Sequence, residues 1–238
     1  MENKKSSLSW FLLGLKNGIP ICLGYFAVSF ALGIAARNTG LNAMQSFLMS
    51  ATMVASAGEF AAISLIGSSA GILEMIGTTF IVNMRYMLMS MSMSQKLSED
   101  TKPAHRFFLS YCVTDEIFGL SSAVTGNLCP FYTYGITLIS VSGWCMGTVL
   151  GVMLGNILPP VISGAMGVAM YGMFLAIIIP PSRKNHFILA LVVLSMAASA
   201  LFACVPILSK ISSGFRVIIL TVLIAGIASI IKPVRVEE

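Results

Sequence analysis

The sequence predicts an all-α protein that crosses a membrane several times. Of its 238 residues, 57% are hydrophobic and 10% are charged, against roughly 25% charged in soluble domains. Mean hydropathy is +0.91. Apolar stretches recur along the chain at the ~20-residue length a helix needs to cross hydrocarbon. The longest polar stretch, 95–106, is too short to bury a core, which excludes a separate soluble domain. The net charge of +5 sits between apolar stretches, where basic residues set orientation rather than bind nucleic acid.

Eight apolar stretches follow in order: 19–36, 47–66, 72–94, 107–128, 134–157, 161–179, 187–208 and 217–231. Turn chemistry separates them at Asn38-Thr39-Gly40, Gly67-Ser68-Ser69, Pro130, Pro159-Pro160, Pro180-Pro181 and 210–214. Ahead of the first, Trp10 and Phe11 with Lys4, Lys5 and Lys16 predict a short helix on the membrane surface.

The basic residues choose between two topologies. If all eight stretches span and the N-terminus is inside, Lys96, Lys102 and Arg106 fall outside, against the positive-inside rule. If the second and sixth stretches are broken and return to the face they entered, those three join Lys4, Lys5, Lys16, Arg183, Lys184, Lys232 and Arg235 inside. Only Arg37, Lys210 and Arg216 then stay outside. The sequence therefore predicts six to eight transmembrane helices, with two broken, re-entrant segments and both termini cytoplasmic.

A repeat supports this arrangement. At an offset of 114 residues, seven of the thirteen positions 51–63 are identical to 165–177, including Gly58 with Gly172 and Phe60 with Phe174. The whole chain, 1–238, reads as one transmembrane domain. Its candidate repeat units are 18–95 and 134–209, joined by a linking helix at 107–128 and followed by a final helix at 215–231. The charge-fitted topology makes the units inverted, which places a solute site near the midplane at the broken helices.

Four ionisable residues stand inside the apolar stretches: Glu59, Arg85, Asp115 and Glu116. A charge there costs several kcal/mol, from ~3 to above ~10, so such groups face cavities, pair, or carry protons and solutes. They point to a transporter. Glu59, in Ala57-Gly58-Glu59-Phe60, can exchange a proton and couple solute movement to a gradient, or it can hydrogen-bond a neighbouring helix. Gly58 and Gly172 admit a ligand or a helix close to the backbone.

Arg85, in Asn83-Met84-Arg85-Tyr86, lies about 13 residues into its stretch, roughly 20 Å deep at ~1.5 Å per residue. Its fork suits a carboxylate, either the solute's or that of Glu59 or Asp115. Asn83 offers a hydrogen bond to a solute or to another helix. Asp115 and Glu116 are adjacent, about 100° apart on a helix, so they are expected to face different surroundings. One would pair with Arg85 or take protons, and the other would cap a helix or reach the interface. Glu74 is expected in solvent near the outer interface, and Tyr25, Tyr86 and Tyr171 are candidates for lining a path.

No nucleophile motif, phosphate loop or dinucleotide fingerprint occurs. The acids lack the i, i+4 spacing that a metal-dependent membrane enzyme would want, and the five scattered cysteines lack metal-ligand spacing. No enzyme activity, metal or cofactor is expected. Uphill transport would then draw on an ion gradient or on a partner ATPase. The competing readings are a transporter of another small solute or a channel and, further off, a membrane enzyme acting on lipids.

Gly18-Ile19-Pro20 through Gly33, Ala57-Gly58-Glu59-Phe60, Asn83-Met84-Arg85-Tyr86 and Thr114-Asp115-Glu116 together resemble the AzlC family over nearly the whole chain. These are large subunits of bacterial branched-chain amino acid exporters. The resemblance implies efflux of leucine, isoleucine, valine and analogues such as azaleucine, from the bacterial inner membrane, beside a small AzlD-type membrane subunit. A homo-oligomer is compatible with it. The family pattern carries glutamine where Glu59 stands, so Glu59 is a departure that could bind a solute's ammonium or tune coupling. Arg85 would take the solute's carboxylate, Glu59 or Asp115 its ammonium, and Phe60 and Phe174 would wall an apolar pocket.

Overall fold

A computed structural model describes residues 6–155, 185–206 and 208–231, together with residues 157, 161, 168, 172, 175, 178, 179, 182 and 183. The chain is all-α, as its hydropathy pattern predicts. Among the described residues, three helices are long and apolar enough to cross a membrane, and three shorter ones are apolar.

Helix α1 (Ser7–Asn38) is one element of 32 residues, capped by Ser6, whose hydroxyl accepts from the Ser9 N–H. At ~1.5 Å per residue it is roughly 48 Å long, enough to cross the hydrocarbon and reach through the headgroups. Trp10 and Phe11 therefore belong to this helix, not to a separate surface helix. Packing explains the continuity: Trp10 meets Tyr132 edge-on at 5.9 Å, and Gly14 lies against the Tyr132 carbonyl.

Those partners sit on α8 (Pro130–Leu154), which opens with proline at its first turn. The contacts climb both helices together. Gly14 and Gly18 meet Tyr132 and Ile136, Gly143 meets Cys22, Gly147 meets Phe26 and Ser29, and Gly33 meets Thr148 and Gly151. The two helices are thus parallel. In lipid no hydrophobic force draws helices together, so glycines that admit backbone against backbone supply the contact.

From the far end of α1 the chain turns back. Helix α2 (Ala43–Thr52) starts in a capping box of Asn42 and Gln45. Met53, Val54 and Ala55 break the helix, and α3 (Ser56–Gly67) returns until Gly67 packs against Thr39. This is the re-entrant segment predicted at 47–66. Helices α4 (Ile72–Asn83) and α5 (Arg85–Gln95), interrupted at Met84, carry the chain to the opposite face.

There the prediction needs correcting. Residues 107–128 are not one linking helix. Helix α6 (Pro103–Tyr111) ends at Cys112, and α7 (Asp115–Ser122) begins anew at Thr114, whose hydroxyl accepts from the Ile117 N–H at 3.3 Å. A cap of this kind closes one helix and opens another. The segment returns to the face it left, because Leu128 N–H donates to the Lys96 carbonyl at 2.8 Å. The α2–α3 and α6–α7 hairpins enter from opposite faces, and their tips meet where the Tyr111 hydroxyl donates to the Ala51 carbonyl. They form the opposed pair among the described residues. The leading helices of the two candidate units, α1 and α8, run in one direction, not opposed as the predicted inversion requires, because 107–128 returns to the face it left instead of crossing.

Helices α9 (His186–Cys204) and α10 (Ser213–Ile231) complete the chain. Helix α10 runs alongside α4 in the same direction: Ser212 donates to Glu74, and Ile218 packs over Gly77. Glu74 is therefore buried against α10 rather than solvated. Helix α9 buries none of its residues, as a helix apolar on every side does when hydrocarbon surrounds it. The second half of the predicted repeat, 165–177, lies mostly outside the described residues.

Two apolar clusters stack along the α1–α8 pair. One gathers Leu32, Ile63 and Trp144 beside the first hairpin, and the other gathers Met93, Leu109, Ile117 and Ile136 beside the second.

Candidate functional site

The hairpin tips and the α4–α5 break converge on one cleft with about 10 Å³ of free volume, room for about one water, lined by Tyr25, Val54, Ser56, Tyr86, Thr114, Asp115, Glu116 and Trp144. It is smaller than the roughly 300–1,000 Å³ of typical small-molecule sites.

Arg85 opens α5, and its Nη2 meets Asp115 Oδ2 at 3.0 Å. The same nitrogen donates to the Tyr86 hydroxyl at 3.2 Å, and the guanidinium lies 5.0 Å from the Tyr86 ring centroid. The side chains of Arg85 and Asp115 stay 36% and 23% exposed, so the pair is open to exchange partners.

Glu116 also lines the cleft. Its Oε2 lies 2.5 Å from the Tyr25 hydroxyl, which lies 2.6 Å from Thr114 Oγ1. One phenolic proton serves one acceptor, so the arrangement that pairs every group has Thr114 donating to Tyr25 and Tyr25 to Glu116. The expectation that Asp115 and Glu116 face different surroundings does not hold. They stand in the first turn of a helix that begins at the cleft, and side chains there reach past the helix end. The cleft thus has two carboxylates in its lining, and the Arg85 guanidinium stands beside it, paired with Asp115.

Glu59 lies outside the cleft. It is 0% exposed, with Oε1 accepting from the Ser50 hydroxyl at 2.5 Å and Oε2 from the Trp144 indole N–H at 2.8 Å. It touches neither Arg85 nor a solute position directly; Trp144 stands between. Gly58 packs against the Asn83 side chain, 2.6 Å from where a Cβ would stand. The Asn83 Oδ1 is buried without a hydrogen-bond partner. Phe60 joins the apolar cluster around Trp144 rather than the cleft. Gly172 is exposed with nothing close to it, and Phe174 lies outside the described residues.

Trp144, Thr114, Ser56 and Ser50 were missed as site residues. Trp144 carried a signal, since an indole N–H inside a span needs an acceptor. So did Thr114-Asp115-Glu116, whose capping threonine and first-turn acids are a helix start.

The AzlC protein family matches residues 20–158. The chain belongs to the AzlC family. The matched span contains both hairpins, the α4–α5 break and α8, and so every residue that lines the cleft. An uncharacterized membrane protein of Archaeoglobus fulgidus is 30% identical over 76% of this chain and 80% of its own length. The inner membrane protein YgaZ of Escherichia coli is 25% identical over 86% of this chain and 87% of its own. The branched-chain amino acid transport protein AzlC of Bacillus subtilis is 25% identical over 84% and 80%. No solved structure matches the chain significantly. With its apolar helices, the chain is an AzlC-family membrane transporter.

Proposed function

We propose that the chain is an exporter subunit for branched-chain amino acids. It works by proton-coupled alternating access in the bacterial inner membrane, with both termini cytoplasmic and a small AzlD-type subunit as partner. The convergence of Asp115, Glu116 and Tyr25 on one cleft between opposed hairpin tips, with Arg85 paired to Asp115 at its edge, carries the reading. A zwitterion needs a cation, an anion and an apolar wall. Arg85 takes the solute's carboxylate when Asp115 yields it, assisted by the N–H groups of the first turn of α3, which has no side-chain cap. Glu116 takes the ammonium. Val54, Tyr86 and Trp144 receive the aliphatic side chain. The transport name of the Bacillus subtilis relative supports the choice of solute.

The test is efflux of labelled leucine, isoleucine and valine from preloaded cells that express the chain with its chromosomal small membrane neighbour. Faster efflux that collapses with the proton gradient is the expected result; efflux equal to the empty control refutes the choice of solute. Counterflow separates a carrier from a channel, because a channel shows no trans-stimulation.

A further inference from the structure

Glu59 belongs to a hydrogen-bonded chain that joins both sides of the first hairpin's break to α8. Ser50 ends α2 and Glu59 begins α3. The Ser50 hydroxyl lies 2.5 Å from Glu59 Oε1 and 2.8 Å from Thr148 Oγ1, and Thr148 lies 3.2 Å from the Trp144 carbonyl. All four residues are nearly or fully buried.

Donor counting allows this chain two directions. With Glu59 ionised, Thr148 donates to Ser50, Ser50 donates to Oε1, and the Trp144 indole donates to Oε2. With a proton on Oε1, the carboxyl donates to Ser50, Ser50 to Thr148, and Thr148 to the Trp144 carbonyl. Every donor finds an acceptor in both states, so neither leaves a buried group unpaired. The indole bond differs between them. Its acceptor is a carboxylate in the first state and a neutral oxygen in the second, and bonds to ionised acceptors are roughly twice as strong.

We infer that Glu59 is a positioning residue, a proton-operated latch that holds Trp144, the wall of the solute cleft, when ionised and loosens it when protonated. The inference rests on the transport reading for its purpose. The proton comes from water and returns to it. Among the described residues no fixed charge pairs with Glu59. From α2 it faces Ser50, and from α8 Trp144, Thr148 and the Cys145 thiol. Of the buried residues of α1 only Tyr25 titrates, and it stands edge-on to Trp144. On the neighbouring α4, Glu74 is engaged by Ser212, and Arg216 of α10 turns to the Ile211 carbonyl. Asp115 and Glu116 line the cleft, and Arg85 pairs with Asp115.

The chain contains two tryptophans, so Trp10→Phe leaves Trp144 as the sole indole. The experiment is a fluorescence titration of the purified full-length Trp10→Phe protein in lipid nanodiscs, from about pH 4 to about pH 9, the span over which carboxyls in varied settings titrate. The expected result is a one-proton step in Trp144 emission that vanishes when Glu59→Gln is added. Thr148→Val, which breaks the relay but keeps carboxyl and indole, should move the step's midpoint by at least about threefold in proton concentration. A flat titration in the Trp10→Phe protein, a step that survives Glu59→Gln, or a midpoint unmoved by Thr148→Val overturns the inference. The readout needs no solute, so failure of the efflux test would leave it intact, and its own failure would leave the exporter reading standing.

Discussion

The indole of Trp144 donates to Glu59 at 2.8 Å across 85 residues of sequence, so the residue that walls the cleft is held by a carboxyl that never enters it. This division of labour shapes the expected behaviour of variants.

Glu59→Ala should destabilise the protein, and Glu59→Gln much less. The alanine strands the buried Trp144 donor, at about 1–3 kcal/mol, while Ser50 can still donate to Thr148; glutamine keeps an acceptor for the indole. Thermal unfolding in detergent measures the difference. Equal melting temperatures for the two variants would show that the bonds carry no stability.

Arg85→Ala should reduce efflux at least about tenfold with normal amounts of protein in the membrane. Arg85→Lys should recover part of it, because an ammonium restores charge but not the two-pronged fork. Quantitative membrane blots alongside efflux rates decide the matter, and wild-type efflux from the alanine variant removes Arg85 from the mechanism.

Tyr25→Phe deletes the hydroxyl between Thr114 and Glu116 without changing the ring that meets Trp144. Apparent KM for efflux should rise several-fold while protein amount and maximal rate change less. An unchanged KM would separate Glu116 from solute binding.

The glycines of the α1–α8 seam should tolerate no side chain. A Cβ on Gly33 would stand 2.2 Å from the Thr148 carbonyl oxygen, and one on Gly151 2.1 Å from that of Phe30. Backbone cannot step aside cheaply, so Gly33→Ala and Gly151→Ala should each cost about 1–3 kcal/mol. Gly24 has nothing within 4 Å, and Gly24→Ala should be neutral or stabilising by up to ~1 kcal/mol. Melting temperatures of the three variants provide the comparison.

Gly58→Ala should also destabilise, and adding Asn83→Ala should relieve it, because the Asn83 side chain occupies the space a Cβ would need. A double-mutant cycle with strictly additive effects would show that the two positions do not interact.

Much of this was legible in the sequence. Hydropathy predicted the helices, and buried-charge cost singled out Arg85, Asp115 and Glu116. The positive-inside count singled out the second stretch as broken, and its break falls at 53–55. The second hairpin was hidden because 107–128 is continuously apolar enough to read as one span, and only the capping signal at Thr114 betrays the break. The pairing of Glu59 with Trp144 was not legible at all. Each residue announces a need for a partner, but only the fold decides which need meets which. Glycine spacing likewise does not state whether two helices run together or opposed.

The α1–α8 seam has a consequence for how the protein is made. Its partners are far apart in sequence: Arg37 donates to the Val152 carbonyl across 115 residues. At ~5–20 residues per second, α1 waits roughly 6–23 s in the membrane before its mate is synthesised. During that interval its glycine face meets only lipid or insertion machinery, while both hairpins must fold back before the gap can close. The closest helix pairing among the described residues is thus a late one in biogenesis. A chain that stalls before α8 would present a spanning helix with no partner for its glycines.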